Sequence, residues 1–163
     1  MRYIFNILMI SILLFVSCER EQDNVVISRE FPNSEWSRFD YLDGKFDVKK
    51  IETKYDVVME VKVTDNYPSP YENHKEDSRL LLNLTIKNPE GGDFRSRNFQ
   101  FTLKDKEGNW KAENKDGYYI FKLPLYEEMT FGDAGIHTFK IENKYPKDPL
   151  HGISELTLKC VKK

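Results

Sequence analysis

Cysteine and histidine are scarce in this chain. Its 163 residues include two cysteines, Cys18 and Cys160, and three histidines, His74, His137 and His151. The recognisable catalytic signatures are missing: there is no Gly-x-Ser-x-Gly elbow, no His-Glu-x-x-His pair, no P-loop and no dinucleotide glycine motif. There is no excess of positive charge. The formal net charge is −2, so the chain lacks the basic face that nucleic-acid binding favours, and none is expected as a partner. The apolar run Ile4 to Val16, which carries no charge, falls short of the roughly 20 residues that an α-helix needs to cross a bilayer. No internal repeat, low-complexity tract or second domain is visible. The acidic loops around Asp65, Glu72 and Asp77, and around Glu127, Glu128 and Asp133, lack the compact spacing of a calcium loop, so no metal is expected.

What is present begins at the N-terminus. Arg2 supplies a short positive region, and the apolar run that follows has the length of a signal-peptide core. It ends in Phe15-Val16-Ser17-Cys18, which resembles the lipobox of bacterial lipoproteins. The resemblance implies cleavage before Cys18 and a lipid joined to its thiol, with no other cofactor. An uncleaved anchor helix, or an ordinary secretory signal, is the alternative. Two or more acyl chains hold a protein stably on a membrane without spanning it. The expected organisation is a signal peptide over 1–17, a lipidated N-terminus and short tether over 18–30, and one domain over 31–163. Losing residues 1–17 removes Arg2 alone among the charges and takes the net charge from −2 to −3. With Cys18 acylated, Cys160 has no partner. An exported domain without disulfides relies on its own core.

The domain reads as strands. Side chains on a strand alternate between faces, so apolar residues two apart can cover one core. Six rows follow this rule: Tyr55 to Val63, Leu80 to Ile86, Phe99 to Leu103, Tyr119 to Leu123, His137 to Ile141, and Leu156 to Cys160. Phe46 with Val48 suggests another strand, and Val25 to Phe31 one more. Turn signals separate them at Asp43-Gly44, Asn88 to Gly92, Glu107-Gly108-Asn109, Asp116-Gly117 and Gly132 to Gly135. The pattern predicts an all-β fold: a single antiparallel β-sandwich, jelly-roll or Greek-key-like. Any helix is expected to be a single turn, near Asn143 to Leu150. Cys160 and His137 fall on core parity and read as packed side chains.

Most aromatics lie on core parity, but Tyr67, Tyr71 and Trp110 lie in loops. Pro68 and Pro70 fix φ and favour extended backbone at the residues before them, so this stretch should leave the sheet. Two outcomes are open. The loop presents Tyr67 and Tyr71 as anchors for a partner, or both rings fold back to cap the sandwich. Tyr67, Pro68, Tyr71 and Trp110 are the candidate partner-binding residues. A surface lipoprotein that binds glycan through loop aromatics is the alternative function.

Several segments occur in a set order behind the lipobox. They are Asp65-Asn66-Tyr67-Pro68, Asp105-Lys106-Glu107-Gly108-Asn109-Trp110, Gly135-Ile136-His137-Thr138-Phe139, and Leu150-His151-Gly152-Ile153. In this order they resemble the GldH family of gliding-motility lipoproteins, from about Phe31 to the C-terminus. The chain departs from the family pattern at Pro68-Ser69-Pro70, and in a basic strand carrying Arg95 and Arg97. The resemblance implies a non-enzymatic cell-envelope lipoprotein required for gliding and linked to the associated secretion apparatus. Its partners would be other gliding and secretion envelope proteins. It would be lipid-anchored to a bacterial membrane, facing the periplasm or the surface. No catalytic residues come with the family.

Overall fold

The computed structural model describes residues 24–68 and 78–163. The signal segment, Cys18, Tyr71 and His74 lie outside the described residues. Eleven strands follow in order: β1 (Asn24–Glu30), β2 (Glu35–Trp36), β3 (Leu42–Val48), β4 (Tyr55–Val63), β5 (Arg79–Lys87), β6 (Phe94–Thr102), β7 (Asn114–Lys115), β8 (Tyr118–Met129), β9 (Gly135–Asn143), β10 (Leu150–His151) and β11 (Ile153–Lys162).

The expected rows become the strands because each can bury one face. In β4, Val57, Met59, Val61 and Val63 are buried, while Asp56, Val58, Glu60 and Lys62 face outward. Leu80, Leu82 and Leu84 do the same for β5, Phe139 and Ile141 for β9, and Leu156 and Leu158 for β11. Each such side chain contributes about 1.5–3 kcal/mol through burial. The strands form two antiparallel sheets, one in the order β1-β11-β4-β8-β7 and the other β3-β9-β5-β6; a short pair, β10-β2, stands beside them. Successive strands repeatedly change sheet, and the two sheets pack as an antiparallel β-sandwich around a single apolar cluster.

Three local expectations are corrected. First, the domain does not open at residue 31: the described residues already hold β1 from Asn24, the strand that Val25 to Phe31 suggested. The segment assigned to the tether includes β1, which pairs with β11; a bulge between Val25 and Ile27 lets the consecutive Val26 and Ile27 both face the core. Second, Asp43-Gly44 is no turn. Gly44 sits inside β3, paired with Phe139. A Cβ there would lie 2.2 Å from the Val26 carbonyl oxygen, so the glycine makes room for β1 to cross. Third, no helix forms over residues 143–150. Pro146 and Pro149 interrupt that stretch, and neither supplies a backbone donor. Among the described residues the one short helical assignment is the turn Pro32–Ser34, in which Asn33 and Ser34 hold positive φ.

Cys160 is buried against the core, and burial pushes its thiol pKa up to about 12. Thiol reagents should therefore label native protein slowly, with rapid labelling only after denaturation. Fast labelling of the native chain would place Cys160 on the wrong face.

A second expectation concerns acid. Where β4 and β8 shift register, Glu128 takes a positive φ of 49° and its N–H donates to Asp56 Oδ1 at 2.9 Å. Lys163 Nζ lies 2.9 Å from the same carboxylate. The backbone bond first, and Lys163 second, hold the Asp56 pKa below its ordinary 3.8. A carboxylate depressed on folding stabilises above its unfolded pKa, and that contribution is lost as pH falls through the folded value. Asp56→Asn should thus be less stable than wild type at neutral pH. The difference should close as urea midpoints are measured at pH values below about 4. A difference that persists undiminished at low pH would assign the effect to geometry and not to charge.

Candidate functional site

β1 runs from Asn24, at the end where the tether joins, to Glu30 at the opposite end. Three of the motif segments gather at that far end, while Gly135 to Phe139 pairs with Gly44 to Val48 toward the tether end. Tyr67 follows β4 in a turn whose N–H donates to the Thr64 carbonyl at 3.1 Å. Gly152, between β10 and β11, lies flat against it. Its carbonyl accepts from the Thr64 N–H at 2.9 Å, and its own N–H donates to the Ser34 carbonyl at 2.7 Å. Lys104 is buried, and its Nζ donates to the Tyr67 carbonyl at 2.9 Å while standing 4.2 Å from the centre of the Trp110 ring. Burial lowers the Lys104 pKa, and the charge of Asp65 raises it.

The Tyr67 side chain is only 2% exposed, with its ring 6.1 Å from that of Trp110. Burial pushes its phenol pKa upward. Of the two outcomes left open for Tyr67, its ring takes the second, packing down to cap the core instead of being presented. The physical reason is the support beneath it. Gly152 lets the backbone approach closely, and Lys104 ties down the carbonyl. Trp110 is half-buried. Tyr119 stacks on it at 4.1 Å and 17°, and Lys104 stands at 4.2 Å. Two groups so near the ring centre cannot share a face, so both faces are occupied and only the ring edge is open. Pro68 is partly exposed.

Two clefts open beside this corner. One, of about 520 Å³, is lined by Asn33, Glu35, Asn66, Pro68, Asp148 and His151 among others. His151 Nδ1 lies 3.2 Å from Glu35 Oε1 across its wall. Asn33 and Ser34 hold φ of 58° and 54° on its rim, in the left-handed region that such residues occupy sparingly. The other, of about 420 Å³, includes Arg38, Phe39, Tyr41 and Glu142. Here the surface is aromatic: Phe39 is 74% exposed and Tyr41 48%. Arg38 is pinned, its guanidinium donating to the carbonyls of Tyr145 at 3.0 Å and Pro146 at 2.6 Å, and its N–H to Asp148 Oδ1 at 2.8 Å. Lys140 stands 4.8 Å over the Tyr41 ring, and Lys140 and Lys144 both pair with Glu142, whose pKa they depress.

Phe39 and Tyr41 were not among the residues the sequence singled out. They lie between β2 and β3, outside any alternating row. The available signal was the aromatic density of Trp36 to Tyr41 in a stretch with no strand period. Arg95 and Arg97, which the sequence did single out, lie on β6, an edge strand. Arg95 stands 5.7 Å and Arg97 5.9 Å from the Tyr126 ring centre. Charges turned inward on an edge strand hinder further strand pairing.

A family model described as GldH lipoprotein matches residues 26–160, from within β1 to near the end of β11. The chain belongs to the GldH lipoprotein family. It is therefore a gliding-motility-associated lipoprotein of the cell envelope. No curated protein matches this GldH chain by sequence. Among solved structures, it is similar to a carbohydrate-binding module specific for non-crystalline cellulose. The identity is 12%, with 85% of this chain and 74% of that one covered and a TM-score of 0.46. It is also similar to a 4-O-methyl-α-glucuronidase with specificity for decorated arabinogalactans, at 12% identity and a TM-score of 0.37, covering 87% of this chain and 16% of that one. Those sugar specificities belong to those proteins.

Proposed function

We propose that this GldH lipoprotein is a non-enzymatic structural or assembly component of the gliding apparatus and of the secretion system tied to it. A lipid on Cys18 holds it to the membrane, and the far end of the sandwich docks envelope partners. The observation that carries the reading is the pairing of Phe39 and Tyr41 as exposed rings beside a pinned Arg38. Exposed aromatics on a rigid support, with arginine near them, are the residues that anchor protein interfaces, because little freedom is lost when they are covered. Pro68 and the edge of Trp110 extend the same candidate surface. Trp110 offers no open face for stacking on sugar, which weighs against glycan binding through that ring.

The test is genetic and physical together. Deleting the gene should abolish gliding and colony spreading on a wet surface, and normal spreading would sink the reading. Phe39→Ala with Tyr41→Ala should also abolish spreading, while the melting temperature of the domain stays nearly unchanged, since exposed substitutions cost within about 0.5 kcal/mol. A large fall in melting temperature would make those rings structural. Labelled palmitate should enter the wild-type protein and not Cys18→Ala.

A further inference from the structure

We propose that the tether end of the sandwich is a docking surface for anionic phospholipid headgroups, so that the lipidated protein stands upright with its far end turned outward. The inference rests on the lipid at Cys18 and adds a second contact with the same membrane.

Asn24 opens β1 six residues after Cys18. Six residues reach at most roughly 20 Å, so this end cannot travel far from an acylated cysteine. Around Asn24 and Val25 lies a cleft lined by Lys45, Lys49, Lys50 and Lys162, with Asp47 as its single acidic lining residue. Lys49 pairs with Asp47, Lys54 with Glu128 and Lys163 with Asp56. Lys45, Lys50 and Lys162 are exposed, and among the described residues no carboxylate pairs with them. Three surface ammonium groups thus lack an internal counter-charge beside the point where the anchor enters.

Apolar side chains accompany them. Val25 and Ile51 are large exposed hydrophobics in the same corner, and Ile136 adjoins it on β9, paired with Asp47. Lysine with exposed aliphatic side chains suits a headgroup boundary. The stems lie along apolar surface, the ammonium groups reach phosphate, and the apolar tips enter the interface. Charge attraction of this kind acts within about a Debye length, near 8–10 Å at ordinary salt. Further carboxylates stand at this end, among them Glu127 on β8, close enough to act on the Lys163 ammonium. Glu52 is on the β3–β4 connection, Glu90 and Asp93 are on the β5–β6 turn, and Asp133 is on the β8–β9 turn, where it bonds Asn88. The lysine-lined contact is the corner where β1, β3 and β11 meet.

The lipidated protein itself supplies the test. With Cys18 acylated and Cys160 buried, an introduced surface cysteine takes a fluorophore selectively. Thr53→Cys would label the tether end and Lys106→Cys the turn before Trp110 at the far end. Each labelled protein is reconstituted into vesicles of phosphatidylcholine alone, or of phosphatidylcholine with phosphatidylglycerol, both carrying a headgroup quencher. The Thr53→Cys label should be quenched several-fold more on the phosphatidylglycerol vesicles, and high salt or Lys45→Glu with Lys50→Glu and Lys162→Glu should remove the gain. The Lys106→Cys label should stay weakly quenched on both. Equal quenching of the Thr53→Cys label on both vesicles, by protein that floats with them, would overturn the lysine contact alone. Stronger quenching at the far end would overturn the orientation. Protein that floats with neither vesicle would refute the lipid anchor, and this orientation with it.

Discussion

Replacing Gly152 by alanine should lower the melting temperature by on the order of 10 °C. The residue holds φ at +82°, and a Cβ there would stand 2.3 Å from the Tyr67 nitrogen and 2.5 Å from its Cα. Both neighbours are backbone, so neither can swing aside as a side chain would. A side chain at such a φ costs about 1–3 kcal/mol by itself. The clash adds to this by forcing apart the bonds from Thr64 and to Ser34 that pass through Gly152. A total of about 3–4 kcal/mol is expected, in the range reserved for a named structural fault. Thermal melting followed by circular dichroism measures it. A melting point within a degree or two of wild type would show that the Tyr67 turn is not pressed against Gly152.

Trp36→Ala should cost about 3–5 kcal/mol, by the opposite route of a cavity. Trp36 is completely buried; its indole N–H donates to the Asp40 carbonyl at 2.9 Å, and its ring meets Phe31 at 5.4 Å. Its carbonyl accepts from Asn143 Nδ2 at 3.0 Å, and its strand pairs with Leu150. Removing the ring empties the space under the far end, where Phe39 and Tyr41 stand. Urea unfolding should show a lower midpoint with an unchanged slope, the sign of lost stability without altered compactness. A midpoint close to wild type would mean that this end is not built on the core.

These two positions also mark how far the sequence could be read. The long strands were legible because alternation is local: β4 displays its buried and outward faces within nine residues. β1 was legible as a strand over Val25 to Phe31, but the domain boundary was set after it, because a bulge breaks its alternation and its last residues are polar. Gly44 read as a turn, since glycine in a sequence does not say whether it supplies a positive φ or an empty space. The loop after β4 was legible in leaving the sheet, which two prolines require. The direction of the Tyr67 ring was not, because Lys104 and Gly152 decide it from elsewhere in the chain. Phe39 and Tyr41 belong to an irregular connection, where no period separates exposed rings from buried ones.

The pairing of the first strand with the last has a mechanical consequence. β1 enters the sheet from the end nearer Cys18 in sequence, the end proposed to be anchored, and lies antiparallel to β11 from Asn24 to Glu30. A pull between a lipid on Cys18 and a partner held at the far end is directed along β1. The hydrogen bonds to β11 then share the load in shear, all at once, and do not open one after another like a zip. A domain fastened to a membrane in this way resists being drawn out by its own anchor.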